Sequence, residues 1–146
     1  MPTAARLVAA ISLALVALGV SVMVMARMTE ITNFGWFVQV NLGLGLVIGW
    51  MLMGPQARPG LAATLNNGIT SAVVLTVCAL AVQGGYEMFR LALNRRYHGL
   101  GEAIGGIVRN MLDYAQVLAN PEIPVALLLG GLLAAAATRF AARMWR

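Results

Sequence analysis

The chain has 146 residues, of which 60% are hydrophobic and 10% charged, and its formal net charge is +5. A soluble domain carries roughly a quarter of its residues as charges, so this chain cannot cover its own surface with polar groups. All ten basic residues are arginine; beside a mean hydropathy of +0.82 they read as membrane flanks facing anionic head groups rather than as a nucleic-acid patch. One cysteine, Cys78, and one histidine, His98, allow no intrachain disulfide, no metal-ligand set and no Cys/His nucleophile pair. No catalytic residue, cofactor or metal site is therefore expected, and no enzymatic activity.

The expected fold is an all-α integral membrane protein, one membrane domain over 1–146. It has four transmembrane helices and an amphipathic interfacial helix between the third and fourth. Leu7 to Met25 is an uncharged run bracketed by Arg6 and Arg27. It is longer than the apolar core of a secretory signal, about 7–15 residues, and reads as a retained first span over about 7–25. The second span is expected over about 34–54, with Phe34, Trp36 and Phe37 near its start and Trp50 near its end, where interfacial aromatics collect. Gly54, Pro55, Pro59 and Gly60 end it, because proline cannot continue a helix.

The third span, about 64–83, starts on the polar Asn66–Asn67–Gly68. Its helix is expected to run on past the membrane, where Glu87 and Arg90 stand three apart on one face. From Leu100 to Ala119 the apolar positions Leu100, Ile104, Ile107, Val108, Met111, Ala115 and Leu118 recur at helical spacing, with Glu102, Arg109, Asn110, Asp113 and Gln116 on the other side. Such a helix is too polar to span and should lie in the interface plane or on the rim of the bundle. The fourth span is expected over about 123–140. Arg139, Arg143, Trp145 and Arg146 form an interfacial tail.

Two groups of residues stand out as candidates. Asn41, Gly45 and Gly49 recur every fourth residue on one face of the second helix. Small residues let helix backbones approach and an amide can bond across the contact, so this is a helix-packing face, directed within the chain or at a partner. Arg90, Arg95, Arg96 and His98 gather opposite the termini. Guanidinium forks suit oxyanions, so the cluster reads as a contact for lipid phosphates, for another protein or for a soluble anion. Within or bordering the spans the main uncharged polar groups are Gln39, Asn41, Thr76 and Gln83. No ionisable group lies firmly inside a span, which argues against a pump or a proton-coupled carrier.

The stretches TNFGWFVQVN (Thr32–Asn41), LNNGIT (Leu65–Thr70) and FRLALNRRYHGLGEA (Phe89–Ala103), with the length and the four hydrophobic segments, resemble the TrgA family of bacterial membrane proteins. The resemblance extends over essentially the whole chain. It implies a small multi-pass protein of the bacterial inner membrane connected with tolerance of tellurium oxyanions; it supplies no set of functional residues. Four spans put both termini on one side, expected to be the cytoplasm.

Two functional expectations follow. One is a non-catalytic protein associated with tellurite resistance, in contact with anionic membrane lipids. The other is an accessory subunit of a larger energy-transducing membrane complex, photosynthetic or respiratory, or a homo-oligomer, docking through its small-residue faces. Nucleic acid is not an expected partner.

Overall fold

The computed structural model describes residues 2–28, 35–93 and 98–145. Among them helices are joined by short turns, with no strand: α1 Pro2–Arg27, α2 Phe37–Ile48 running into a π-helical turn Gly49–Met53, α3 Leu61–Leu93, α4 Leu100–Leu118 and α5 Glu122–Met144. Helices are what such apolar runs must form, because backbone polar groups away from water have to be satisfied within the segment. Proline marks the starts. Pro2 opens α1, and Pro124 lies in the first turn of α5, where a missing N–H costs no intrahelical bond. Gly60, at φ 122°, turns the chain from the Pro55–Pro59 loop into α3.

Helices α1, α2, α3 and α5 form a ring in which each packs antiparallel on its neighbours, in the order α1, α2, α3, α5 and back to α1. The α1–α2 seam runs from Val24 beside Phe37 to Arg6 beside Gly54. A β-carbon added at Gly45 would lie 2.7 Å from the Cα of Ala14, and one at Gly49 2.6 Å from the Cα of Ala10. The α3–α5 seam is equally close: Gly68 and Gly131 face each other, a β-carbon at Gly131 falling 2.8 Å from the carbonyl oxygen of Gly68. The main core joins Leu13, Ile48, Met53, Ala72, Leu75, Leu127, Ala134 and Ala135. A second, smaller core of Val24, Phe37 and Ile123 lies at the other end, and Tyr114, Val117 and Leu118 of α4 pack on it.

The outer faces are apolar. On α1, Leu7, Ile11, Leu15, Leu18 and Val22 are all exposed, a stripe at three- and four-residue spacing. Three helices, Thr3–Arg27 of α1, α3 and α5, are long and apolar enough to cross a membrane; Phe37–Met53 is a shorter apolar helix. The second expected span, about 34–54, is thus the one that falls short. Proline and glycine stop it after Met53, and Phe34 lies outside the described residues. The first span extends from 7–25 to Pro2–Arg27, and the fourth from 123–140 to Glu122–Met144. The third extends from 64–83 to Leu61–Leu93, including the continuation expected beyond Gln83.

Helix α4 covers the residues expected of the interfacial helix, to within Ala119, and has no fully buried residue. Its surface divides in three. Ile107, Met111 and Tyr114 turn to the bundle, Leu100, Ile104, Val108 and Leu112 form an exposed apolar stripe, and Glu102, Arg109, Asp113 and Gln116 form an exposed polar one. The sequence pattern merges the first two as a single apolar face; the fold separates them.

Candidate functional site

Where α4 closes the end of the ring, the helices do not pack fully. A small cavity, open at its mouth, lies between Ala17, Val20, Ser21 and Val24 of α1, Phe37 and Asn41 of α2, Leu75, Thr76 and Gln83 of α3, and Tyr114 of α4. Its walls are apolar. One side carries a chain of polar side chains from three helices. The Ser21 hydroxyl donates to the carbonyl of Ala17 at 2.6 Å and accepts from Asn41 Nδ2 at 2.9 Å. Gln83 Nε2 donates to Asn41 Oδ1 at 3.2 Å and to the carbonyl of Phe37 at 3.3 Å. All three residues are buried. In a nonpolar setting such a network specifies which helices meet, since an unmatched amide there costs more than in water.

Tyr114 stacks on Phe37, the ring centroids 5.8 Å apart and the planes 13° from parallel. Burial, and then the negative charge of Glu87, raise its hydroxyl above the usual tyrosine range, while Arg90 opposes them. The hydroxyl therefore stays neutral at ordinary pH. The cavity wall offers hydrogen bonds to an uncharged polar group and no charge to a proton or an ion. Among the described residues no three His, Cys, Asp or Glu side chains converge as a metal site would require, and Cys78 is a half-buried free thiol.

The residues singled out in sequence are distributed as follows. Gly45 and Gly49 face α1 of the same chain, and Asn41 on the same face joins the polar chain through Ser21. Arg90 is exposed and lies 3.7 Å from the half-buried Glu87 as an ion pair. The backbone N–H of His98 donates to the Glu102 carboxylate at 3.0 Å, a bond that fixes the start of α4. Arg95 and Arg96 lie outside the described residues. Of the other polar positions, Gln39 is exposed and Thr76 bonds to the Ala72 carbonyl of its own helix at 2.9 Å.

Two polar positions escape sequence reading. Ser21 is unremarkable within α1, and its role appears when α1 and α2 are folded antiparallel, which brings it level with Asn41. Asn67 donates to the Met53 carbonyl at 2.9 Å; this satisfies an end-of-helix acceptor that would otherwise lack a partner. A polar residue at similar distance on either side of a helix connection is the signal that could have found the first pair.

No protein-family model matches the chain, and no curated protein or solved structure matches it either.

Proposed function

We propose that this chain is a four-span protein of the bacterial inner membrane, with both termini in the cytoplasm and without enzymatic activity. In this reading it supports tolerance of tellurium oxyanions, as its resemblance to the TrgA family implies. The observation that carries the membrane part is the distribution of polarity. The ring is apolar on its outer faces, and the polar groups inside it are uncharged and hydrogen-bonded to one another. The fourth crossing is supported by the α1–α2 seam: α2 and its π-helical turn accompany α1 from Val24 to Arg6. At ~1.5 Å per residue, 17 residues of Phe37–Met53 reach about 25 Å, near the thickness of a hydrocarbon core. The three-sided surface of α4 suits a helix lying in the interface, one side on the bundle, one in lipid and one in water.

The accessory-subunit reading draws on the same absence of charge inside the ring. It cannot use Gly45 and Gly49, because α1 already fills that face; a partner would have to use the outer apolar surface. Purification of the tagged protein from native membranes in mild detergent, with mass spectrometry and native sizing, separates the two. A stoichiometric large partner identifies an accessory subunit; a lone protein or a homo-oligomer favours self-contained action. In the second case, replacing Arg90, Arg95 and Arg96 with alanine should lower tellurite tolerance at constant protein level. Unchanged tolerance would remove that cluster from the mechanism.

A further inference from the structure

The described carboxylates of the ring gather at one of its ends. At the end formed by the start of α4, Arg27 pairs with Glu122 and Arg90 with Glu87, and Glu102 and Asp113 lie on the same α4. At the opposite end are Arg6 of α1, Arg58 of the α2–α3 loop, and Arg139 and Arg143 of α5. All four described acidic residues, Glu87, Glu102, Asp113 and Glu122, belong to the first end, and among the described residues none of these four arginines has an ion-pair partner.

Two of the four are held rather than free in solvent. The stem of Arg6 lies across Gly54, close enough that a β-carbon there would be 2.7 Å from Arg6 Cγ, and its Nε is buried with no hydrogen-bond acceptor. Arg139 is half-buried and reaches Thr64 Oγ1 at 3.5 Å. The antiparallel register of α1 and α5, set by Val16 on Gly130 and by Arg27 on Glu122, brings Arg6 level with Phe140–Arg143, about one turn from Arg139. Phe140 and Trp145, both exposed at this end, mark the head-group level. The buried Nε of Arg6 calls for an acceptor, and none of the described acidic side chains lies at this end.

We propose that this end of the ring seats the phosphates of anionic lipid head groups, with Arg6 at the α1–α2 seam and Arg139 at the α3–α5 seam as the principal donors and Arg58 in the loop that joins α2 to α3. Planar guanidinium forks match a phosphate's paired oxygens. The inference rests on the chain spanning a membrane. It places the lipid contact at the end opposite the Arg90 cluster.

The test is native mass spectrometry of the detergent-purified protein titrated with phosphatidylglycerol, comparing Arg6→Gln/Arg139→Gln with Arg27→Gln/Arg109→Gln. The first pair should weaken lipid binding about tenfold or more, in line with two lost guanidinium contacts near a surface; the second should leave it near wild type. Arg6→Lys/Arg139→Lys, which keeps the charge but not the fork, should bind between the two, with an unchanged melting curve showing that the fold survives. Equal loss from both Gln pairs, or loss from neither, overturns the proposal. Full displacement of the lipid by millimolar inorganic phosphate would assign the site to a free oxyanion and overturn it as a lipid site. Carbonate extraction tests the membrane reading separately. Release of the protein would overturn both readings, whereas retention without a lipid effect would overturn this one alone.

Discussion

The α1–α2 seam and the docking of α4 join helices of the same protein in opposite ways. Along the seam, glycines bring backbone against backbone, with Gly45 on Leu13 and Ala14, Gly49 on Ala9 and Ala10, and Gly54 on Arg6. Across α4, contact is made mainly by side chains: Met111 over Gly84, with the carbonyl and side chain of Ile107 farther off, and Tyr114 on Phe37. At the glycines there is no room even for a β-carbon, whereas beside the Tyr114–Phe37 contact a cavity opens. Where attraction comes from close packing rather than from expulsion of water, small residues give the strongest contact. The freedom to open a pocket is therefore found where large side chains meet.

The contrast can be broken most forcefully at Gly49. Gly49→Leu must displace the α1 backbone, and a loss of about 3 kcal/mol, the upper end of the usual range for overpacking, is expected, seen as a lower melting temperature and a poor yield of monodisperse protein. At Gly43 on the same helix an added β-carbon meets nothing within 4 Å, and Gly43→Leu should melt close to wild type. If the two substitutions behaved alike, the seam would not be the close contact described.

A smaller effect is expected in the cavity wall. Asn41→Leu leaves Ser21 and Gln83 without their shared partner and should cost about 1–2 kcal/mol. Combined with Gln83→Leu it should show less than additive loss, because both remove the same bond. Additive losses in a double-mutant cycle would mean that the amides do not act together.

The smallest effect belongs to Tyr114. Its folded-state hydroxyl is raised above the ordinary value of 10.0. The corresponding stability is therefore fully present below about that pH, and is lost as pH climbs through the raised value. An alkaline absorbance titration should show one late-ionising tyrosine that Tyr114→Phe removes, with α4 loosening at the same pH. Titration of all tyrosines together would place Tyr114 in solvent.

Much of the fold is legible in the residues themselves. The uncharged stretch of Leu7–Met25, the stop at Gly54–Pro55 and the restart after Gly60 depend on hydropathy and backbone chemistry, which are local. The period of α4, from Leu100 to Leu118, is local as well. The cavity is not legible in this way, because Ser21, Asn41, Gln83 and Tyr114 come from four separate helices and each alone looks like an isolated polar or aromatic residue. The prominence of Arg90 in the sequence is equally partial, for charge density along the chain says nothing about which charges have partners.

The sequence by itself determined that the chain is helical and greasy, and where along it the apolar helices and the breaks between them fall. Those properties follow from what each residue can do alone or with neighbours three or four positions away. Tertiary structure decided which faces meet. It turned Asn41, Gly45 and Gly49 inward onto α1, split the apolar surface of α4 between bundle and surroundings, and gathered the described acidic side chains at one end. Those outcomes depend on antiparallel registers set by backbone contact at a few glycines, and a register relates residues that are far apart in the chain.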